Sequence, residues 1–203
     1  GALPERLARA VALASAFAAG PGAAAACTPS RVVLVSGDVS EPVALSVTGG
    51  CPYDRLTLDY GSLSVVEEAS VHGDLDVVLP RMPRAADLRV AWADGAVTLP
   101  VPAAAANYGF AAMAEGEAVR LSATAGAKKS RVGFPVAGAP PLSFVMLPPG
   151  AEAAVVFDVT AETCGTDASA TVYGDSAAGA QTVTVAMPPC GDPAAAIRVP
   201  LTR

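Results

Sequence analysis

The chain has 203 residues, which is enough to bury the core of one large domain or two small ones. Apolar residues make up 52% of it and charged residues 16%, a composition that excludes an intrinsically disordered chain. The formal net charge of −6 excludes the basic surface that nucleic-acid binding needs, so we expect no nucleic-acid partner.

The first predicted element lies in residues 1–26, which are rich in Ala and almost free of β-branched side chains. Pro4 and Glu5 suit the first turn of a helix, and Gly20-Pro21-Gly22 would end it. The apolar residues between these limits recur at helical spacing. The pattern predicts a helix rather than an extended strand in this segment.

Three roles fit residues 1–26. Two arginines, an apolar stretch and small residues before Cys27 are typical of a secretory signal peptide. A transmembrane helix is the second role, but the uninterrupted apolar run covers only residues 10–19, which is too short for a bilayer. The third is an apolar assembly segment that stays in the mature protein, and this is the role we expect.

From residue 31 onward the hydrophobic period changes to two, and turns rich in Gly and Pro separate short runs of Val and Leu. Asp94-Gly95, between two such runs, is a strong hairpin signal. The strands predicted in this way span residues 31–35, 43–48, 55–60, 63–66, 75–79, 88–93, 96–101, 118–123, 131–136, 142–147, 153–160, 170–173, 182–186 and 196–201.

The spacing of these strands predicts an all-β fold with two tandem immunoglobulin-like β-sandwiches. Pro102 and the four alanines after it are typical of a linker between them. We therefore expect an assembly segment in residues 1–26, a first sandwich in residues 27–102 and a second in residues 103–203.

The four cysteines fall as two pairs, one in each predicted sandwich. None lies in a C-x-x-C motif, and the one histidine is distant in sequence, so we expect no zinc. Local pairing is the simplest of the three possible connectivities, and it indicates an oxidising compartment or an extreme thermophile. The predicted bonds are Cys27–Cys51 and Cys164–Cys190.

A family resemblance lies in residues 147–160, where Leu-Pro-Pro-Gly leads into an alternating strand, followed by Gly165 and the strand at 170–173. This arrangement resembles the immunoglobulin-like or fibronectin-type repeats of prokaryotic, notably archaeal, cell-surface and filament proteins, over residues 142–189. The resemblance implies a stalk, adhesion or filament role at the cell surface, and no catalysis.

The residues that could carry chemistry are few. His72 is the only histidine, and it stands in a turn with Asp74 and Asp76 close in sequence, but no Gly-x-Ser-x-Gly motif accompanies it. The two aspartates could bind Ca²⁺, but acidic side chains at strand ends are more often only solvated. Two further acidic pairs are Ca²⁺ candidates of the same kind, Asp38 with Glu41 and Glu162 with Asp167. We expect no enzyme activity, no cofactor and no metal site.

These observations predict a structural subunit of an extracellular, pilus-like filament whose partner is another copy of the chain. Two modes of assembly fit residues 1–26. A helix could pack in the filament core, as the resemblance to archaeal type IV pilins and archaellins implies. Glu5 near the start of the segment resembles the bacterial type IV pilin pattern. Alternatively, an extended segment could complete the sheet of a neighbour. The alternatives are a monomeric cell-surface adhesion or binding module and, with less support, a secreted hydrolase.

Overall fold

The computed structural model describes residues 27–124, 126–174, 179–191 and 195–202, together with the backbone of Val11–Ala16. The regular elements of this part are all β-strands, arranged in four antiparallel sheets, so the predicted all-β class is confirmed. The described residues contain no helix of the length and apolarity that a membrane crossing requires.

In the first half of the chain, the strands after β1 have nearly the bounds that the sequence predicts. The strands of this half are β1 (Val11–Ala16), β2 (Arg31–Ser36), β3 (Val43–Thr48), β4 (Arg55–Tyr60), β5 (Leu63–Glu68), β6 (Leu75–Leu79), β7 (Ala86–Trp92) and β8 (Gly95–Val101). The second half contains β9 (Gly109–Met113), β10 (Val119–Ala123), β11 (Lys129–Val132), β12 (Leu142–Leu147), β13 (Ala153–Asp158), β14 (Asp167–Gly174), β15 (Ala180–Ala186) and β16 (Ala196–Pro200).

The first half forms two sheets that share one core, and we call them the first sheet pair. Sheet A has the strand order β1-β2-β3-β6, and sheet B has the order β5-β4-β7-β8. Alternate residues of these strands face inward, as Val43, Leu45 and Val47 do in β3. The period of two in the sequence therefore buries one face of each strand and leaves the other to solvent.

The second half forms a second sheet pair with its own core. Sheet C has the strand order β11-β12-β9-β14-β15, and sheet D has the order β10-β13-β16. Residues from both sheets, such as Met113, Leu121, Val155 and Phe157, are buried together between them. The two halves are thus both β-sandwich-like in their layering.

The two sheet pairs are packed against each other rather than joined only by a linker. Every residue of β12 is buried, with Leu142 and Phe144 in the first core and Val145 and Leu147 in the second. The amide of Phe134 also donates a 2.6 Å hydrogen bond to the carbonyl of Val66 on β5. Sheet C is therefore covered by protein on both faces at this strand.

The prediction of a helix in residues 1–26 is wrong for Val11–Ala16, the part of that segment that the structure describes. Val11–Ala16 is a β-strand whose backbone pairs with β2, while residues 1–10 and 17–26 lie outside the described residues. The reason is tertiary: a short isolated helix gains little in water, whereas an edge strand offers a row of unpaired backbone groups. Pairing with that edge outweighs the helix propensity of alanine.

Both predicted disulfides are confirmed. Cys27 bonds to Cys51 and Cys164 bonds to Cys190, with Cα–Cα distances of 4.9 and 5.0 Å. These distances lie within the usual range for a disulfide. All four cysteines of the chain are paired, which indicates that the protein resides in a non-reducing environment.

Candidate assembly site

The strand β1 covers one edge of sheet A. Its six residues pair antiparallel with β2, from Val11 opposite Ser36 to Ala16 opposite Arg31. Within this register Leu13 stands opposite Leu34. The strand thus extends sheet A by one position, and its partner β2 becomes an interior strand.

The strand β2, with which β1 pairs, is rich in buried apolar residues. Val32 and Leu34 are completely buried in the first core, and Val33 is only 6% exposed. The strand contains no proline and no internal charge, only Arg31 at its first position. Such a strand at an open sheet edge would pair readily with another chain, and β1 removes that edge.

The start of β2 is held by the chain just before it. The Cys27–Cys51 disulfide ties this chain to the connection between β3 and β4. Ser30 donates two hydrogen bonds to the carbonyl of Thr48, one of 2.9 Å from its amide and one of 3.1 Å from its hydroxyl. The position of β2 is therefore fixed from residue 27 onward.

The end of β2 is held by the buried side chain of Arg81. Its guanidinium donates a 2.6 Å hydrogen bond to the hydroxyl of Ser36, the last residue of β2. It also donates to the carbonyls of Gly37 at 3.0 Å, Glu41 at 2.9 Å and Pro102 at 3.4 Å. A buried guanidinium is stable only when its N–H groups are satisfied, and here carbonyl oxygens supply most of the acceptors.

Tyr60 is buried in the core of the first sheet pair, where the charge of the Arg81 guanidinium affects its pKa. Burial raises the pKa of Tyr60 to about 12, and both a contact with the backbone of Met82 and the Arg81 charge partly oppose that increase. The phenol therefore stays neutral at every physiological pH. No catalytic proton transfer is expected from it.

Two carboxylates accept hydrogen bonds from other elements, Glu67 between the two sheet pairs and Glu115 within the second sheet pair. Glu67 on β5 accepts a hydrogen bond from the amide of Gly133, and burial raises its pKa despite that bond. Burial also acts to raise the pKa of Glu115. The hydrogen bonds from Lys129, Ser143 and the amide of Leu121 outweigh that effect and lower it. These groups hold elements together and do not form a reactive pair.

The predicted candidates near His72 do not converge on a reactive geometry. His72 is exposed in the turn before β6, and its backbone amide donates to the hydroxyl of Ser70. Asp74 is half-buried and accepts a 3.1 Å hydrogen bond from the amide of Gly49, so it links the turn before β6 to the connection after β3. Asp76 is exposed on β6.

The other acidic candidates lie in or beside the connections between strands. Asp38 accepts hydrogen bonds from the amide and hydroxyl of Ser40, whereas Glu41 contributes its backbone carbonyl to Arg81. Glu162 and Asp167 are both exposed at the connection that leads into β14. Over the described ranges, no three His, Cys, Asp or Glu residues come close enough to hold a metal ion.

A cavity of about 740 Å³ opens at one end of the second sheet pair. Apolar residues such as Phe110, Leu147 and Val172 line it, together with the polar residues Glu152 and Gln181. Among the described residues that line it, Glu152 is the one titratable side chain, so this lining offers no pair of groups for acid–base chemistry.

Sequence reasoning missed Arg81, the residue whose side chain holds the end of β2. Arg81 follows one proline closely and precedes another, a context that is typical of an exposed loop and gives no signal of burial.

A search of family models, of curated proteins and of solved structures finds no match to this chain.

Proposed function

We propose that the protein is a structural subunit of an extracellular, pilus-like filament, built from two immunoglobulin-like sandwiches and polymerising through residues 1–26. The single observation that carries this proposal is the pairing of β1 with β2 across the long connection of residues 17–30. A strand that completes a sheet from so far away is one that a neighbouring copy can supply equally well.

Other features support a structural role outside the cell. The two disulfides suit an extracellular setting, and each closes a loop within one sheet pair. The candidate catalytic and acidic side chains are engaged in turns or lie exposed and apart. A protein whose polar groups serve its turns and junctions fits a scaffold better than an enzyme.

The alternative is a monomeric adhesion or binding module of the cell surface. The observation that favours it is the cavity of about 740 Å³ in the second sheet pair, which is large enough for a ligand. In that case β1 would serve only to close its own sheet.

Deletion of residues 1–26 tests the proposal. The deletion keeps Cys27, so both disulfides remain possible. We expect the full-length chain to form filaments in electron micrographs, and the truncated chain to elute as a folded, disulfide-bonded monomer by size exclusion with light scattering. Filaments from the truncated chain, or a full-length chain that stays monomeric, would reject the filament role and favour the adhesion module.

A further inference from the structure

The edge of β2 that faces β1 has backbone amides and carbonyls that pair with a further strand, supplied either by the same chain or by another copy. Without β1, sheet A would end at β2, whose residues from Val32 to Leu34 are apolar and almost fully enclosed. An open edge of this kind exposes unpaired amides and carbonyls beside hydrophobic side chains. Folded proteins cover such an edge, either with their own chain or with a partner.

The acceptor edge is held in place without help from residues 1–26. The Cys27–Cys51 bond fixes the chain ahead of β2, and Arg81 fixes its last residue through Ser36. Both anchors lie outside β1. The edge is therefore preorganised for a strand that arrives from elsewhere, which reduces the entropy lost on docking.

The connection between β1 and β2 does not dictate that the two strands belong to one chain. Residues 17–30 separate them, whereas a tight hairpin uses about two to five residues, and it is the tight turn that fixes a register. Residues 17–26, fully extended, would span about 35 Å. That reach allows β1 to leave its own sheet and enter the same position in an adjacent molecule.

The position of β1 in the sheet also suits exchange. The opposite edge strand of sheet A, β6, lies close to β11 of the second sheet pair. The edge strand β5 of sheet B also meets that pair, because its Glu67 and Val66 accept hydrogen bonds from Gly133 and Phe134. The strand β1 is the edge of sheet A farthest from β6. The edge that β1 covers is therefore on the other side of sheet A from the β6 edge.

We infer that in the assembled state the β2 edge of each copy takes β1 of the next copy, in the register that runs from Val11 opposite Ser36 to Ala16 opposite Arg31. This inference rests on the proposed filament function and names the acceptor for it. Each copy then donates one strand and accepts one, a head-to-tail contact that propagates instead of closing. The backbone hydrogen bonds of the β1–β2 ladder are the same in the exchanged and unexchanged forms.

Paired cysteine variants distinguish exchange from self-pairing. Ala12 stands directly opposite Val35, and the native cysteines are already bonded, so introduced thiols would be the only free ones. The single variants Ala12→Cys and Val35→Cys are mixed, assembled and oxidised, and the products are separated on a non-reducing gel. The matched control is a mixture of Ala12→Cys with Val78→Cys, treated in the same way. Val78 has a similar exposure, 46% against 38%, but stands on the far edge strand β6.

We expect a covalent dimer of the two variants as the main product for Ala12→Cys with Val35→Cys, at least tenfold above the control with Val78→Cys. Filaments that form without this dimer would overturn the assigned acceptor while leaving the filament function standing. Equal dimer yields in the two mixtures would overturn it as well. Absence of filaments from the unmodified full-length chain would reject the proposed function and this inference together.

Discussion

The guanidinium of Arg81 donates a 2.6 Å hydrogen bond to the hydroxyl of Ser36, and both residues are buried. Ser36 ends β2, while Arg81 lies just beyond the end of β6 on the other side of the same sheet. The contact fixes the end of the strand that accepts β1, and it connects that strand to the region where the two sheet pairs meet.

Substitution of Arg81→Ala is expected to lower the free energy of unfolding by about 3 kcal/mol, because the buried hydroxyl of Ser36 and three partly buried carbonyls lose their donor at once. Chemical denaturation measures this change. The control is Arg89→Ala, since Arg89 is about half exposed and its nearest carboxylate oxygen, on Asp59, is 3.9 Å away. The control should cost less than about 1 kcal/mol. Equal effects from the two variants would show that Arg81 does not anchor β2.

The raised pKa of Tyr60 predicts a loss of stability at alkaline pH. The unfolded chain releases the phenolic proton near pH 10, but the folded protein keeps it until about pH 12. Unfolding therefore becomes easier as the pH rises from 10 to 12, by about 3 kcal/mol in total. Denaturation curves across this range should show that decline in the free energy of unfolding of the parent protein. The decline should be smaller in Tyr60→Phe, because that variant has no phenolic proton at this position. Parallel declines in both would contradict the assigned burial.

Glu115 and Glu67 are expected to affect stability with opposite signs. The pKa of Glu115 is lowered, so its contribution is present above its unfolded pKa and is lost as the pH falls through the folded one. The pKa of Glu67 is raised, so the folded state is favoured as the pH falls and penalised as it rises.

At neutral pH, Glu115→Gln should therefore destabilise the protein by about 1 kcal/mol or more, because its bond to the Lys129 ammonium loses its charge. Glu67→Gln should be neutral or stabilising, since an amide oxygen can still accept from Gly133. Thermal melts at pH 7 compare the two variants directly. A larger loss in Glu67→Gln than in Glu115→Gln would reverse the signs and refute these assignments.

The two disulfides should contribute alike to stability but differently to assembly. Their bonded cysteines are 24 and 26 residues apart, so removal of either bond should cost about 3–4 kcal/mol. The double variant Cys27→Ser/Cys51→Ser loosens the chain ahead of the acceptor strand, and filament yield in micrographs should fall. Replacing Cys164 and Cys190 by Ser serves as the control and should leave that yield largely intact. A reversed order would place the assembly contact in the second sheet pair.

Much of the β-structure could be predicted from local patterns. Strands buried on one face, such as β3 and β4, show the alternation of large apolar residues with small or polar ones that defines a period of two. Turn residues mark their ends. The cysteine spacing predicted both disulfides because each bond closes a local loop.

Other features could not be predicted because they depend on distant contacts. The strand β9 was missed because its Gly-Phe-Ala-Ala-Met sequence has no alternation, and the structure buries all five of its residues. The segment with β1 was predicted as a helix because alanine favours helices locally, whereas the edge of β2 decides its conformation. The burial of Arg81 likewise depends on carbonyls far away in sequence.

Matched charge substitutions in β1 test most directly the claim that this strand joins copies through β2. Leu13 stands opposite Leu34, which is completely buried, and Ala12 stands opposite Val35, which is 38% exposed. Filament formation is measured by electron microscopy and light scattering for Leu13→Asp and for Ala12→Asp. The account predicts that Leu13→Asp leaves a folded monomer and that Ala12→Asp still polymerises. Full polymerisation of Leu13→Asp, or equal loss in both variants, would contradict it.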